Sequence, residues 1–156
     1  MGKTQKISCE VPLRWGDMDA YGHINNVQVI RILEEARIHA FGPPGGTGAP
    51  GEQPPVALFS AIDPEVQAVV VEHRVKYAAA LDYRNIPLKV QVWIGELKPA
   101  SFSISYLIHD PVTDRMCVKA ETVLAFLDQT GGLLRLTGEQ KAQLLPYVGK
   151  PVFDKP

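Results

Sequence analysis

Residues 26–41, NVQVIRILEEARIHAF, decide the fold of this chain. Placed at about 100° per residue, Gln28, Arg31, Glu35 and His39 fall in one narrow stripe, and apolar side chains occupy most of the remaining circumference. A helix so apolar around its girth must be wrapped, not merely laid on a surface. The wrapping has to come from the same chain, whose 156 residues suffice for one hydrophobic core and are few for two. Residues 1–156 are therefore read as a single domain.

The segments around the helix supply the wrapping. Upstream, residues 5–15 read as a strand in which Pro12 marks an edge or a bulge. Downstream, residues 42–55 hold five glycines and five prolines in fourteen positions, a composition that predicts a flexible loop inside the domain. A short helical turn is expected near Asp63-Pro64-Glu65 within residues 56–66. Beyond it the period changes to two: Val69, Val71, His73, Val75 and Tyr77 alternate with Val70, Glu72, Arg74 and Lys76, and Leu88, Val90, Val92 and Ile94 alternate with Lys89, Gln91 and Trp93. Phe102, Ile104, Tyr106 and Ile108 make a further strand, and residues 115–127 another. The short connections at 98–100 and 110–114 predict that these last three strands are antiparallel neighbours. Thr137 and Gln140 have capping-box spacing, which predicts a closing helix over residues 138–146. One helix and one set of amphipathic strands give an α+β fold in which a curved, five-stranded antiparallel sheet wraps a long central helix.

Composition narrows the function. Charged residues are 21% of the chain and the net charge is -1, with the cations scattered, which argues against a nucleic-acid partner. No apolar run reaches the roughly 20 residues that span a bilayer, and no leader-like segment follows Met1, so the expected location is cytoplasmic. Cys9 and Cys117 lie far apart without metal-ligand spacing and read as small core residues in a reducing compartment. No phosphate loop, dinucleotide glycine pattern or zinc spacing is present, so neither a metal nor a separate cofactor is expected.

The polar chemistry is concentrated just before the helix, in Arg14-Trp15-Gly16-Asp17-Met18-Asp19-Ala20-Tyr21-Gly22-His23-Ile24-Asn25-Asn26. Much of it has a structural use. Asp19 to Gly22 suits a type I turn, Asn25 suits an N-cap with Gln28 completing a capping-box-like pair, and Ile24 with Val29 forms a hydrophobic staple. The same geometry carries chemistry. Helix-start amides near Asn26 and Val27 are unpaired donors suited to a developing oxyanion, and a carboxylate beside them serves as nucleophile or as general base on water.

This D-x-D-x-x-G-H-x-N-N string, followed by Glu34-Glu35-Ala36-Arg37, resembles the signature of hotdog-fold acyl-CoA thioesterases of the 4-hydroxybenzoyl-CoA thioesterase type, and the strand order agrees over residues 5–128. The resemblance implies a homodimer joined edge to edge, open to further pairing into a homotetramer, with acyl-CoA as substrate and coenzyme A present only as part of it. It places the catalytic carboxylate at Asp19 and the oxyanion amide at Asn26, with His23 as a positioning member of the site. Asp17 belongs to the same catalytic set, with a turn-holding hydrogen bond as its competing reading. Glu34 is read as paired with Arg37, although a glutamate on this helix is catalytic in another hotdog subgroup. Asn25, Lys98 and Ser101 are the expected substrate contacts. Arg84 and Asn85 read as turn-shaping, Arg31 and Glu35 as solvated, and His73 as a satisfied core or interface histidine. Two other functions fit the same sequence: a hotdog hydratase or dehydratase of acyl thioesters, and a non-catalytic acyl-CoA-binding module. The acyl group itself is not legible.

Overall fold

The computed structural model describes residues 4–44 and 53–153. The elements in chain order are β1 (Ile7–Val11), α1 (Asn26–Phe41), β2 (Gln67–Tyr77), β3 (Leu88–Leu97), β4 (Phe102–His109), β5 (Met116–Leu127), β6 (Leu133–Leu134) and α2 (Gly138–Leu144). All strands join one antiparallel sheet in the order β1-β3-β4-β5-β2, with β6 pairing β5. The last three long strands are neighbours, as their short connections require. The sheet has six strands rather than the expected five, because the two-residue β6 folds back onto the end of β5.

The alternating pattern becomes one buried face. Leu88, Val90, Val92 and Ile94 of β3 and Phe102, Ile104, Tyr106 and Ile108 of β4 are all essentially inaccessible. They share a core with Val29, Ile32, Leu33, Ala36, Ala40 and Phe41 of α1. Each large apolar side chain removed from water there contributes about 1.5–3 kcal/mol before the entropy of ordering is set against it. The helix has 16 residues and Val27, Glu34 and Glu35 stay exposed, so this chain covers it on one side rather than all round. Glu34, which lies off the polar stripe, is nonetheless solvent-exposed, while its partner Arg37 is buried.

Several boundaries differ for local reasons. The first strand stops at Val11, because Pro12 has no N–H for the ladder and the next residues turn into a short 3-10 segment, Trp15–Asp17. Residues 63–66 form a turn rather than a helix, closed by the Val66 N–H on the Asp63 carbonyl at 2.9 Å. The closing helix ends at Leu144 and is followed by a 3-10 turn, Leu145–Tyr147; its capping box between Thr137 and Gln140 is complete. Of the predicted loop at 42–55, residues 45–52 lie outside the described residues. β2 does not alternate cleanly between buried and exposed residues. It is the sheet's edge, it carries a bulge between Val70 and Glu72, and Val70, Val71 and Tyr77 remain exposed.

The outward face of the sheet is crossed by the last described residues. Trp93, Ser105, Glu121 and Arg74 form one cross-strand row through β3, β4, β5 and β2. Trp93 Nε1 donates to the Lys150 carbonyl at 2.9 Å, the Val152 N–H donates to Ser105 Oγ at 3.1 Å, and Arg74 lies 4.3 Å over the Phe153 ring. Gly95 makes the close approach possible: a Cβ there would meet Ser105 Oγ at 2.8 Å and the Pro151 Cα at 3.3 Å.

Candidate active site

The motif before α1 folds into a compact turn whose backbone is stitched to residues 81–83. Asp19 N–H donates to the His23 carbonyl at 2.7 Å and Gly22 N–H to the Asp19 carbonyl at 3.2 Å, which closes the expected turn. Gly22 sits at φ 79°, a left-handed conformation that glycine adopts without strain. Ile24 N–H donates to the Leu81 carbonyl at 2.7 Å and Tyr83 N–H to the Gly22 carbonyl at 2.9 Å. The turn is therefore anchored on a second segment, Leu81 to Tyr83, which no local sequence signal associates with it.

The two aspartates of the motif have different fates. Asp17 is fully buried. Its Oδ1 accepts from Arg14 Nη2 at 3.1 Å, and its Oδ2 accepts from the Arg14 N–H at 2.7 Å and from Arg31 Nη2 at 2.8 Å. Burial alone would push its carboxyl up, but the Arg14 backbone and guanidinium and the Arg31 guanidinium together hold it below the ordinary carboxylate range. Asp19 uses one oxygen for the turn: Oδ1 accepts from the Tyr21 and His23 N–H groups at 2.8 and 3.1 Å. Its Oδ2 makes no hydrogen bond among the described residues.

Asp19 lines a cavity of about 380 Å³ together with His23, Asn25, Asn26, Tyr77 and Leu81; Asp17 does not line it. The helix start is capped as expected by Asn25, whose Oδ1 accepts from the Val27 N–H at 3.0 Å. The Val27 amide is thereby taken, which removes one of the two expected oxyanion donors. The Gln28 N–H is also taken, by the Asn25 carbonyl at 2.9 Å. The Asn26 N–H makes no hydrogen bond among the described residues and is the free donor at the helix start. The capping-box-like role expected of Gln28 is not formed: its Oε1 accepts instead from Arg14 Nη2 at 3.2 Å and Arg31 Nε at 3.1 Å. Arg31, expected to be solvated, thus ties α1 to Asp17.

Two further residues enter the site without having been singled out for it. Tyr77, at the end of β2, donates its hydroxyl to the Asn26 carbonyl at 3.2 Å, and burial raises its phenol above the ordinary value. Asp82 stands 3.4 Å from His23 Nε2. The alternating pattern placed Tyr77 on a strand face, but nothing in the sequence linked either residue to the turn.

The remaining expected residues lie elsewhere. Lys98 and Ser101 line a separate cavity of about 230 Å³ on the outward sheet face with Glu72, Arg74, Glu96 and Glu121. There Lys98 Nζ is 3.5 Å from Glu96, and its N–H closes the hairpin on the Ser101 carbonyl at 2.9 Å. His73 is satisfied by Thr122 Oγ1 at 2.9 Å, and Arg37 Nη2 is 3.7 Å from Glu34. Arg84 reaches out of its own turn, donating Nε to both oxygens of Asp110 at 3.1 Å in the connection between β4 and β5. Among the described residues no cluster of histidine, cysteine, aspartate or glutamate is arranged to hold a metal ion.

An antiparallel sheet packed on one helix, with a polar turn at the helix start, is the fold of a hotdog-type thioester hydrolase, and the chain is of this class. It belongs to the thioesterase-like superfamily, whose family model matches residues 13–151. Among solved structures it is similar to the probable thioesterase YbaW of Escherichia coli, with 21% identity over 91% of this chain and 98% of that one and a TM-score of 0.69. It is also similar to the DHNA-CoA thioesterase of Staphylococcus aureus, with 17% identity over 84% and 80% of the two chains and a TM-score of 0.68. A thioesterase of Thermus thermophilus, crystallised with coenzyme A and zinc, matches with 20% identity over 88% of this chain and 90% of that one, at a TM-score of 0.67. At these identities the likeness is one of fold. No curated protein sequence matches the chain. Among the described residues no helix is long and apolar enough to cross a membrane.

Proposed function

We propose that this protein is an acyl-CoA thioesterase in which Asp19 is the reacting carboxylate and the Asn26 amide is the oxyanion donor. The observation that carries this reading is the contrast within the D-x-D pair: Asp17 is consumed by two arginines, while Asp19 keeps Oδ2 uncommitted in a cavity it shares with Asn26. Asp19 takes a proton from water as the water oxygen bonds to the thioester carbon, or attacks that carbon itself and is released by water. In either route the carbonyl oxygen gains negative charge, which the Asn26 N–H and the helix N-terminus stabilise. The C–S bond then breaks and one proton of the water passes to the departing thiolate, by way of Asp19 in the first route, giving the free acid and coenzyme A thiol. Only groups of the chain and water take part, with coenzyme A entering as part of the substrate.

The active unit in this reading is a homodimer formed through β2, whose edge and exposed Val70, Val71 and Tyr77 are ready to continue the sheet into a second copy. Val118, at the Tyr77 end of β5, lines the Asp19 cavity, and Val123 lines the Lys98 cavity, so in one chain the two cavities are separated along the sheet. Antiparallel pairing of two β2 strands brings the Lys98 and Ser101 end of one copy toward the Asp19 end of the other, where those residues meet phosphates of coenzyme A. The test is thiol release from a panel of aliphatic and aromatic acyl-CoAs by the pure protein. Turnover of at least one of them is expected. Tight binding with no turnover of any of them would assign a non-catalytic module instead, and enoyl-CoA hydration without thiol release would assign a hydratase.

A further inference from the structure

Asp82 reaches the Asp19 cavity only through a neighbour. It does not line the cavity itself, whereas the adjacent Leu81 and its partner His23 do. The His23 Nε2 stands 3.4 Å from Asp82 Oδ1, and the two residues also form an isolated antiparallel bridge. Behind Asp82 the charges alternate. Arg84 Nη2 is 3.7 Å from Asp82 Oδ2, and Arg84 Nε donates to Asp110 at 3.1 Å. Asp110 is buried and rigidly placed, since its Oδ1 also accepts from the Val112 and Thr113 N–H groups at 2.8 and 3.0 Å. A chain of four side chains thus runs from the tight turn between β4 and β5 to the imidazole in the Asp19 cavity. The His23 backbone is fixed at the same time, because its N–H donates to Asp19 Oδ1 and its carbonyl accepts from the Asp19 N–H. The His23 backbone is therefore held by Asp19, while its ring lies beside the Asp82 carboxylate with Nε2 and Oδ1 3.4 Å apart.

Resting on the thioesterase reading above, we propose that Asp82, backed by Arg84 and Asp110, is a positioning residue for the hydrolysis, holding His23 by Nε2–H so that Nδ1 accepts a hydrogen bond from the water that Asp19 deprotonates. A histidine nitrogen that gives its proton to a carboxylate fixes the tautomer of the ring, and the other nitrogen then becomes the acceptor. His23 moves no proton in this step. Asp19 takes one hydrogen of the water, the Nδ1 lone pair holds the other, and the water oxygen bonds to the thioester carbon. Misplacing that water costs rate without costing substrate affinity.

The test is a double-mutant cycle with a substrate-free readout beside it. Asp82→Asn and His23→Gln are each expected to lower kcat by about ten- to hundredfold with little change in KM. The double variant should be no slower than His23→Gln alone, because Asp82 acts through His23. Asp82→Glu should recover part of the loss. Additive losses, or a raised KM with kcat intact, would overturn the role. Independently, long-range proton–nitrogen NMR of the histidine rings, assigned with His23→Gln, should show neutral His23 carrying its proton on Nε2 in the wild type and a mixed tautomer in Asp82→Asn. A wild-type ring protonated on Nδ1 would overturn the proposal whether or not the enzyme turns over. Absence of turnover by the wild type on every acyl-CoA would overturn the thioesterase reading and the catalytic role together, and the NMR result would then stand only for the Asp82–His23 contact.

Discussion

Arg31, one turn into α1, places Nη2 2.8 Å from Oδ2 of the fully buried Asp17, so the helix and the turn that precedes it are locked by a charge pair. The same carboxylate receives Arg14 from the other side. Removing its charge leaves the two guanidinium groups with only neutral acceptors, among them Gln28 Oε1. Asp17→Asn should lower stability by about 1–3 kcal/mol, the usual cost of unmaking buried charge-assisted hydrogen bonds, measured by urea unfolding. Unchanged stability would mean that the pair contributes nothing.

Asp17 and Asp110 also set the acid limit of the fold. Burial would raise each, but backbone N–H donors and arginine side chains, Arg14 and Arg31 at Asp17 and Arg84 at Asp110, hold both below the ordinary carboxylate range. A carboxyl depressed in the folded state adds stability that is present above its unfolded value and is lost as pH falls through the folded one. Stability should therefore drop from about pH 4 downward, and the drop should be shallower in Asp17→Asn and Asp110→Asn. Equal slopes in the wild type and both variants, in urea titrations at stepped pH, would contradict this.

The Asn25 side chain caps α1 through the Val27 N–H at 3.0 Å. Asn25→Ala should cost about 1 kcal/mol in unfolding free energy, and Asn25→Asp should retain most of the stability because aspartate caps comparably. A loss of similar size in both variants would show that the asparagine acts in some other way.

Both thiols are buried, and burial pushes Cys9 up to about 12 and raises Cys117. The thiolate is the reactive form. A thiol reagent at about pH 8 should therefore label the native protein far more slowly than the unfolded protein, in which both cysteines react. Fast stoichiometric labelling of the native protein would contradict the burial.

Trp93 reports on the segment that crosses the outer face of the sheet. It is 4% exposed where Trp15 is 75% exposed, and these are the chain's two tryptophans. In a Trp15→Phe background, emission should be that of a buried indole. Val152→Pro, which removes the N–H that Ser105 accepts, should shift it to the red. No shift would mean that the segment does not hold Trp93 under cover.

The parts legible in the sequence were those set by period and punctuation. The apolar girth of residues 26–41, the alternation in residues 88–94 and 102–108, and the turn residues at 98–100 and 110–114 implied a helix and three antiparallel neighbours. The Thr137 capping box was readable because cap and partner are three residues apart. What escaped is what depends on pairing over long distances. Nothing local says that Leu81 to Tyr83 stitches the motif turn, that Arg31 leaves the polar stripe for Asp17, or that Asp82 meets His23. The exposure of β2 escaped for a related reason: alternation shows which side chains match in character, not whether anything covers them. Within the motif, two aspartates are visible in the sequence but not separable there, since the difference is how many donors each receives in space.

The most direct measurement is coenzyme A thiol release by the wild type and by Asp19→Asn, followed side by side on the best acyl-CoA. Asparagine keeps the Oδ1 acceptor that the Tyr21 and His23 N–H groups use, so the turn should stay folded while the basic oxygen is lost. Turnover in Asp19→Asn should fall on the order of 10²- to 10⁴-fold with an unchanged unfolding transition. Full activity in Asp19→Asn would contradict the central role given to Asp19.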